Sequence, residues 1–127
     1  MYKNSILIVE DDRGVRSLIA EALSVSGSFL VLTASTGESA IMQVASRDPD
    51  IMILDLGLPD IDGMDIIRRV RTWTNHPILV VSARTGDQDR IGALDLDAVA
   101  ADYLTKPFHP VYIQTQIVLC YRMDRIT

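Results

Sequence analysis

The sequence predicts an α/β fold in which helices cover both faces of a parallel sheet, and three features lead to this prediction. Short apolar runs alternate with helix-patterned segments five times along the chain, as expected of repeated strand–helix units. The runs are almost continuously apolar, which is typical of strands buried on both faces. With 127 residues, the chain is long enough for one hydrophobic core and too short for two ordinary domains.

Five strands are predicted from these runs, at residues 5–9, 29–33, 51–54, 78–82 and 102–105. An apolar stripe marks the first helix, which follows the first strand and ends near Gly27. The stripe consists of Val15, Leu18, Ile19, Ala22 and Leu23. A stripe of this kind packs one face of a helix against a sheet.

The later helices are bounded by capping and helix-breaking residues. Ser35 and Glu38 have the spacing of a capping box, which opens the second helix, and Pro49 ends that helix just before the third strand. The third, fourth and fifth helices are predicted at about residues 63–72, 87–96 and 110–125.

The sheet order decides which strand ends meet. Right-handed crossovers place helices on both faces, and the flavodoxin-like order 2-1-3-4-5 is a common way to wind five such units. Strands 1, 3 and 4 then lie side by side, with neighbours ~4.8 Å apart. Glu10, Asp11, Asp55 and Ser82 therefore converge at the carboxyl edge of the sheet, where open α/β sheets bind ligands. Lys106 follows the fifth strand and is long enough to reach back to Asp55.

These residues form a pocket rich in carboxylates, which repel one another unless a cation lies between them. Oxygen donors with no His or Cys nearby suit a hard ion, and few carboxylates plus a carbonyl suit Mg²⁺. We expect Asp11, Asp55 and the Gly57 carbonyl to bind Mg²⁺ directly and Glu10 to act through water. Phosphoryl transfer requires positioning and charge neutralisation, so Asp55, beside Lys106, is the predicted phosphoacceptor.

From the first strand to the fifth helix, the chain resembles the response-regulator receiver domain of two-component systems. The resemblance is carried by the pocket residues above and by Pro59 and Gly63 at the family's offsets from Asp55. Three stretches are similar to the group with winged-helix DNA-binding outputs, and within it to the regulators of potassium-transport operons. They are ILDLGLPD at 53–60, VSAR at 81–84 and DYLTKPF at 102–108.

The resemblance implies a phosphorylation-controlled signalling switch. In such a switch Asp55 takes a phosphoryl group from a sensor histidine kinase in a Mg²⁺-dependent reaction, and Ser82 and Lys106 contact that group. Tyr103 stands where the family has a rotating switch residue coupled to the hydroxyl at Ser82. The expected output is altered partner binding, with no enzyme activity beyond the domain's own phosphoryl transfer and slow autodephosphorylation.

The expected organisation is one receiver domain over residues 1–127, with no output domain in this chain. This domain would be the regulatory part of a transcriptional regulator. The alternative is a stand-alone or non-phosphorylated receiver that acts as a protein-binding module.

Composition and motifs narrow the other function classes. A net charge of −5 without an evident basic patch disfavours direct nucleic-acid binding, and no apolar run approaches a membrane span. The N-terminus runs straight into the first strand without a signal peptide, so a cytoplasmic location is expected. A haloacid-dehalogenase-type phosphatase would need a second acid where Gly57 stands, and the acids at 10–12 would repel the phosphate of a flavodoxin's flavin.

The segment before the fifth strand departs from the family pattern. Receivers of this kind usually read Ala-Leu-Asp-Ala-Gly-Ala-Asp-Asp-Tyr, whereas residues 93–103 contain two more residues and no glycine. The end of the fourth helix, which glycine normally caps, is therefore expected to differ from that of the family.

The surface used for pairing also differs. Winged-helix-group receivers dimerise across helix 4, strand 5 and helix 5 through bridges between basic and acidic side chains. Arg90 keeps one basic position, but Tyr112, Gln116 and Ala101 stand where charged residues are expected, so we predict a weak homodimer. The competing hypothesis is a more apolar interface built by Tyr112, Ile113 and Val99.

Overall fold

The computed structural model of this chain describes residues 4–24, 29–82, 103–105, 112–115 and 117. The elements follow one another as β1 (Asn4–Val9), α1 (Arg13–Ser24), β2 (Phe29–Ala34), α2 (Gly37–Arg47), β3 (Ile51–Leu54), α3 (Gly63–Val70), β4 (Ile78–Ser82) and β5 (Tyr103–Thr105). Residues 112–115 and 117 are helical. The predicted fourth helix and the altered segment before Tyr103 lie outside the described residues.

The five strands form one parallel sheet in the order β2-β1-β3-β4-β5, which confirms the predicted 2-1-3-4-5 winding. β1 and β3 end in register, with Val9 opposite Leu54. Since all strands run the same way, their carboxyl ends share one edge of the sheet. The residues that follow β1 and β3 are therefore neighbours.

The sheet separates two hydrophobic core layers, because successive residues of a strand point to opposite faces. One layer lies under α2 and α3, and its members include Leu7, Val9, Met52, Leu54, Val44 and Ile67. The other lies under α1 and the helical residues 112–115 and 117, and it includes Ile6, Ile8, Ile53, Ile19, Leu23 and Ile113. Four residues of β1 and all of β3 are buried, as the continuous apolar runs predicted.

α1 packs on the sheet through only part of its predicted stripe. Ile19 and Leu23 are buried and Val15 packs beside them, whereas Leu18 is 41% exposed. The assignment of Leu18 to the buried stripe was therefore wrong. The described helix stops at Ser24, and the predicted end near Gly27 lies outside the described residues.

α2 begins one residue later than the predicted capping box requires. Thr36 is the N-cap: its backbone is extended, and its hydroxyl accepts a hydrogen bond from the Ser39 amide at 3.2 Å. Glu38 is consequently the second helical residue rather than the third, so the Ser35–Glu38 box was wrong. The helix ends at Arg47, and Asp48 adopts a left-handed conformation with φ 45°.

α3 runs from Gly63 to Val70, two residues short of the predicted end, and residues 71–73 form a turn. Asp62 caps its start by accepting a hydrogen bond from the Met64 amide at 2.9 Å. Within the described part of the chain, no helix is both long enough and apolar enough to cross a bilayer.

Candidate functional site

The candidate site begins with two carboxylates that sit one residue beyond the central strands. The Glu10 amide donates to the Ala34 carbonyl at 3.0 Å, and the Asp55 amide donates to the Val9 carbonyl at 3.0 Å. The backbone hydrogen bonds between neighbouring strands thus continue one residue past the strand ends and fix the backbones of Glu10 and Asp55. Both side chains are buried, with exposed fractions of 2% for Glu10 and 6% for Asp55.

Asp11 joins this pair from the exposed side of the loop. One carboxylate oxygen from each of Glu10, Asp11 and Asp55 lies within 4.8 Å of the others. The structure therefore brings together the three acids that the sequence placed at this edge. Two of them are buried carboxyl groups, whose charged form needs a compensating cation or hydrogen bonds, and three oxygen donors match the ligands of a hard divalent ion such as Mg²⁺.

The loop between β1 and α1 is held by its own polar groups. The Asp12 amide donates to Oε2 of Glu10 at 3.2 Å, and Oδ1 of Asp12 accepts from the Val15 amide at 3.0 Å. Asp12 therefore caps α1.

Arg16 is a contributor that the sequence did not reveal. Its Nη1 donates to the Glu10 carbonyl at 2.8 Å and to the Asp11 carbonyl at 3.4 Å. The guanidinium thus ties the first turn of α1 to the backbone of the acidic pair and places a positive charge beside it. Its position six residues after Glu10 gives no local motif that would have indicated this contact.

The loop between β3 and α3 is equally constrained. The Gly57 amide donates to Oδ1 of Asp55 at 3.0 Å, which orients the carboxylate, and the Gly63 amide donates to the Leu56 carbonyl at 3.0 Å. A Cβ on Gly63 would lie 2.5 Å from the Leu56 Cα, so only glycine allows this close approach. Gly57, whose carbonyl is a predicted metal ligand, is therefore held next to Asp55.

Asp60 links the same loop to α2. Its Oδ1 accepts from the Gly37 amide at 2.8 Å and its Oδ2 from the Glu38 amide at 3.0 Å. These hydrogen bonds, first that from Gly37 and then that from Glu38, lower the pKa of the Asp60 carboxyl below its ordinary value. The partners are more than twenty residues away in sequence, so no spacing signal predicted the contact.

The remaining predicted residues are described only in part or not at all. Ser82 closes β4 opposite Thr105, and Tyr103 opens β5 opposite Val80. The side chains of Ser82 and Tyr103, and all of Lys106, lie outside the described part of the structure. Because Ser82 and Thr105 are paired at the ends of β4 and β5, the carboxyl ends of these strands lie at the same edge of the sheet as Asp55.

Comparison with known proteins agrees with this geometry. Residues 6–118 match the family model for the response regulator receiver domain. The chain is 42% identical over 123 residues to the KDP operon transcriptional regulatory protein KdpE of Escherichia coli, covering 97% of this chain and 53% of that protein. It is 44% identical over 103 residues to KdpE of Mycobacterium tuberculosis, covering 81% and 44%. The chain thus spans about half the length of these curated relatives.

Solved structures show the same fold. The BeF3-activated N-terminal receiver domain of Klebsiella pneumoniae RstA has a TM-score of 0.84 and 32% identity, covering 94% of this chain and 99% of that one. A two-component response regulator from Clostridium difficile has a TM-score of 0.87 and 26% identity, covering 94% and 97%.

These matches bear on the class of protein. The relatives are regulators rather than classical enzymes. Receiver domains bind Mg²⁺ at an acidic pocket and receive their phosphoryl group from sensor histidine kinases. The family and the potassium-operon group that the motifs predicted are both confirmed. Because residues 6–118 match the family model and three acids lie together at the carboxyl edge of the sheet, this chain belongs to the response-regulator receiver domains of two-component systems.

Proposed function

We propose that Asp55 of this chain accepts a phosphoryl group from a sensor histidine kinase in a Mg²⁺-dependent reaction, and that phosphorylation changes partner binding. The observation that carries the proposal is the meeting of Glu10, Asp11 and Asp55 within 4.8 Å at the carboxyl edge of β1 and β3. A buried pair of carboxylates with a third acid beside it costs stability, but it supplies the oxygen ligands that a divalent ion binds.

The donor set supports an assignment of the Mg²⁺ ligands. Asp11 and Asp55 would hold Mg²⁺ directly together with the Gly57 carbonyl, and Glu10 would act through a water molecule. When bound, Mg²⁺ neutralises the negative charge of the phosphoryl oxygens. The bond from the Gly57 amide to Oδ1 of Asp55 and those from Arg16 to the Glu10 and Asp11 carbonyls support this assignment, because they fix the ligands before the ion arrives.

Asp55 is the nucleophile of the proposed transfer. One of its carboxylate oxygens forms a bond to phosphorus as the bond between phosphorus and the kinase's histidine nitrogen breaks, and the electron pair of that bond returns to the ring nitrogen. Lys106 would neutralise charge on the phosphoryl group, and the Ser82 hydroxyl would bond to one of its oxygens. The only further chemistry proposed for the domain is slow hydrolysis of its own acyl phosphate.

Signal output would follow from a shift between two conformations. The bond to Ser82 would favour the active conformation, and Tyr103 would report it by rotating towards the hydroxyl. Because the chain spans about half the length of its KdpE relatives, we propose residues 1–127 as the receiver domain of a cytoplasmic transcriptional regulator. We propose that the chain itself binds neither nucleic acid nor membrane.

The alternative of a non-phosphorylated receiver that serves only as a binding module is less well supported. Such a module has no need for three acids at one edge, two of them buried, since burying a carboxylate costs stability that its hydrogen bonds must offset. The acidic cluster therefore favours the phosphorylated switch.

Phosphorylation by a small donor tests the proposal. Incubating the protein with acetyl phosphate and Mg²⁺ should add the mass of one phosphoryl group, and Asp55→Asn or excess chelator should abolish the addition. Asp65→Asn is the matched control, because Asp65 is an exposed acid on α3 that pairs with Arg68 at 2.7 Å. Phosphorylation that persists in Asp55→Asn, or that chelator does not diminish, would show that the assignment is wrong.

A further inference from the structure

The carboxylate of Asp60 bridges two elements. It lies in the loop between β3 and α3, five residues after Asp55, yet both its oxygens accept hydrogen bonds from α2, at 2.8 Å from Gly37 and 3.0 Å from Glu38. A carboxylate that accepts two backbone hydrogen bonds is held in one orientation. The loop is thereby attached to a helix outside the described site.

These bonds complete the cap of α2. The first amides of a helix have no partner within the helix. Here the hydroxyl of Thr36 accepts from the Ser39 amide at 3.2 Å and its carbonyl accepts from the Ala40 amide at 3.1 Å. The amides of Gly37 and Glu38 are bonded by Asp60 instead. Asp60 therefore accepts hydrogen bonds from two helix amides that the N-cap residue Thr36 does not bond.

Apolar side chains of the loop and of α3 also lie close to the start of α2. A Cβ on Gly37 would lie 2.9 Å from both the Ile61 Cβ and the Ile66 Cδ1. The start of α2, the end of the loop and the start of α3 thus leave no room for a side chain at Gly37. The hydrogen bonds of Asp60 and this apolar contact therefore both join the loop to α2 at Gly37.

The other end of the loop carries two of the predicted metal ligands, Asp55 and the Gly57 carbonyl. The Asp55 amide donates a hydrogen bond to the Val9 carbonyl, and the Gly57 amide donates one to Oδ1 of Asp55, both at 3.0 Å. Between Gly57 and the Asp62 cap of α3, Asp60 bonds the loop to α2. Without it, the segment carrying the Gly57 carbonyl would lose a pair of charge-assisted hydrogen bonds.

We infer that Asp60 is a positioning residue for the metal and phosphoryl site: by bonding the start of α2, it holds the β3–α3 loop so that the Gly57 carbonyl is presented to Mg²⁺. The inference rests on the proposed function, in which that carbonyl is a ligand. A purely structural role would instead make Asp60 matter only for the stability of α2. The two roles differ in their effect on Mg²⁺ affinity: only the positioning role requires that affinity to fall when Asp60 is replaced.

Mg²⁺ titration of the full chain, followed by NMR on the backbone amides, distinguishes the roles. Asp60→Ala should weaken Mg²⁺ binding roughly tenfold, the lower end of the loss when a ligand's supporting hydrogen bond is removed. It should also speed hydrogen exchange at the Gly57 amide. Asp60→Asn, which keeps one acceptor oxygen, should recover part of both losses.

Two control variants remove the competing causes. Thr36→Ala weakens the start of α2 without touching the loop, and Glu38→Gln removes an exposed negative charge from the same place. Both should keep the Mg²⁺ affinity of the unmodified protein. If Asp60→Ala lowers the affinity no more than these controls do, the inference is overturned, and Asp60→Asn is judged by the same criterion if the alanine variant does not fold.

Failure of the proposed function has a different signature. An unmodified protein that binds no Mg²⁺ would contradict the ligand assignment itself, whatever Asp60 does. Exchange at the Gly57 amide would then still decide whether Asp60 holds the loop, and unchanged exchange in Asp60→Ala would overturn the positioning role.

Discussion

At the scale of single residues, the acids at the strand ends were predictable because parallel strands in register bring the residues after them together. Glu10 and Asp55 follow Val9 and Leu54, which are paired in the sheet. The contacts of Arg16 and Asp60 were not predictable in this way. Each depends on how a loop lies against a helix, which no local sequence pattern specifies.

The pH dependence of stability tests the Asp60 bridge. Hydrogen bonds from Gly37 and Glu38 lower the pKa of the Asp60 carboxyl in the folded state below its ordinary value of 3.8. A lowered folded-state pKa gives a contribution that is present above the unfolded-state pKa and is lost as pH falls through the folded-state value. The stability difference between the unmodified protein and Asp60→Asn should therefore be largest near neutral pH and shrink below about pH 4.

Urea unfolding at a series of pH values measures this difference. Thr36→Ala is the control, because its hydroxyl does not titrate and its stability difference should stay constant with pH. A difference for Asp60→Asn that is equally large at neutral and acidic pH would mean that the carboxylate form of Asp60 does not stabilise the folded state.

At the scale of elements, the strands were predicted within about one residue at each end, whereas α2 begins one residue later and α3 ends two residues earlier than predicted. The central strand β3 is apolar and buried from end to end, so burial defines its limits. For α2, Ser35 and Thr36 both carry a suitable hydroxyl, and the choice depends on the backbone of Thr36, which is extended with φ −135° and ψ 160°. The sequence offers both candidates and does not rank them.

The cap of α2 gives a paired prediction. Thr36→Ala should lower the free energy of unfolding by about 1 kcal/mol, since it removes the hydroxyl that accepts from the Ser39 amide. Ser35→Ala should leave stability nearly unchanged, because Ser35 precedes the cap and is exposed. Thermal or urea unfolding of the two variants decides between the observed cap and the capping box expected from sequence, for which the larger loss would appear in Ser35→Ala.

The turn into α3 gives a second paired prediction. In Gly63→Ala the new Cβ would meet the Leu56 Cα at 2.5 Å, which is backbone and cannot move away cheaply. We expect the free energy of unfolding to fall by about 1–3 kcal/mol, as for other overpacked positions. Gly57→Ala is the control, because its Cβ would meet only Oδ1 of Asp55 at 3.8 Å, an ordinary contact. Equal losses in urea unfolding of the two variants would contradict this account.

At the scale of the whole molecule, the winding of the sheet was predicted because few arrangements of five strand–helix units satisfy right-handed crossovers. The observed order agrees, and it explains why one edge collects the polar residues. The effect of the two additional residues before Tyr103 stays a prediction, since that segment lies outside the described part of the chain. The predicted oligomeric state rests partly on residues of the same segment.

The predicted weakness of the homodimer rests on missing charges. Tyr112, Gln116 and Ala101 stand where the winged-helix group is expected to have bridging residues. Exposed bridges contribute only ~0.2 to 1 kcal/mol each, but each occurs twice in a symmetric dimer. Losing two or three would cost ~0.8 to 6 kcal/mol and weaken association by roughly fourfold to about four orders of magnitude.

The competing apolar interface loses one of its three residues in the structure. Ile113 is fully buried in the core layer beneath α1, whereas Tyr112 is 58% exposed. An interface that retains only Tyr112 and Val99 from that set has little apolar area to replace the bridges. We therefore expect the beryllofluoride-treated protein to sediment mainly as a monomer at micromolar concentration, with or without Tyr112→Glu. Met42→Glu, at a 64% exposed position on α2, is the matched control. A stable dimer that Tyr112→Glu breaks and Met42→Glu does not would show that the apolar interface forms after all.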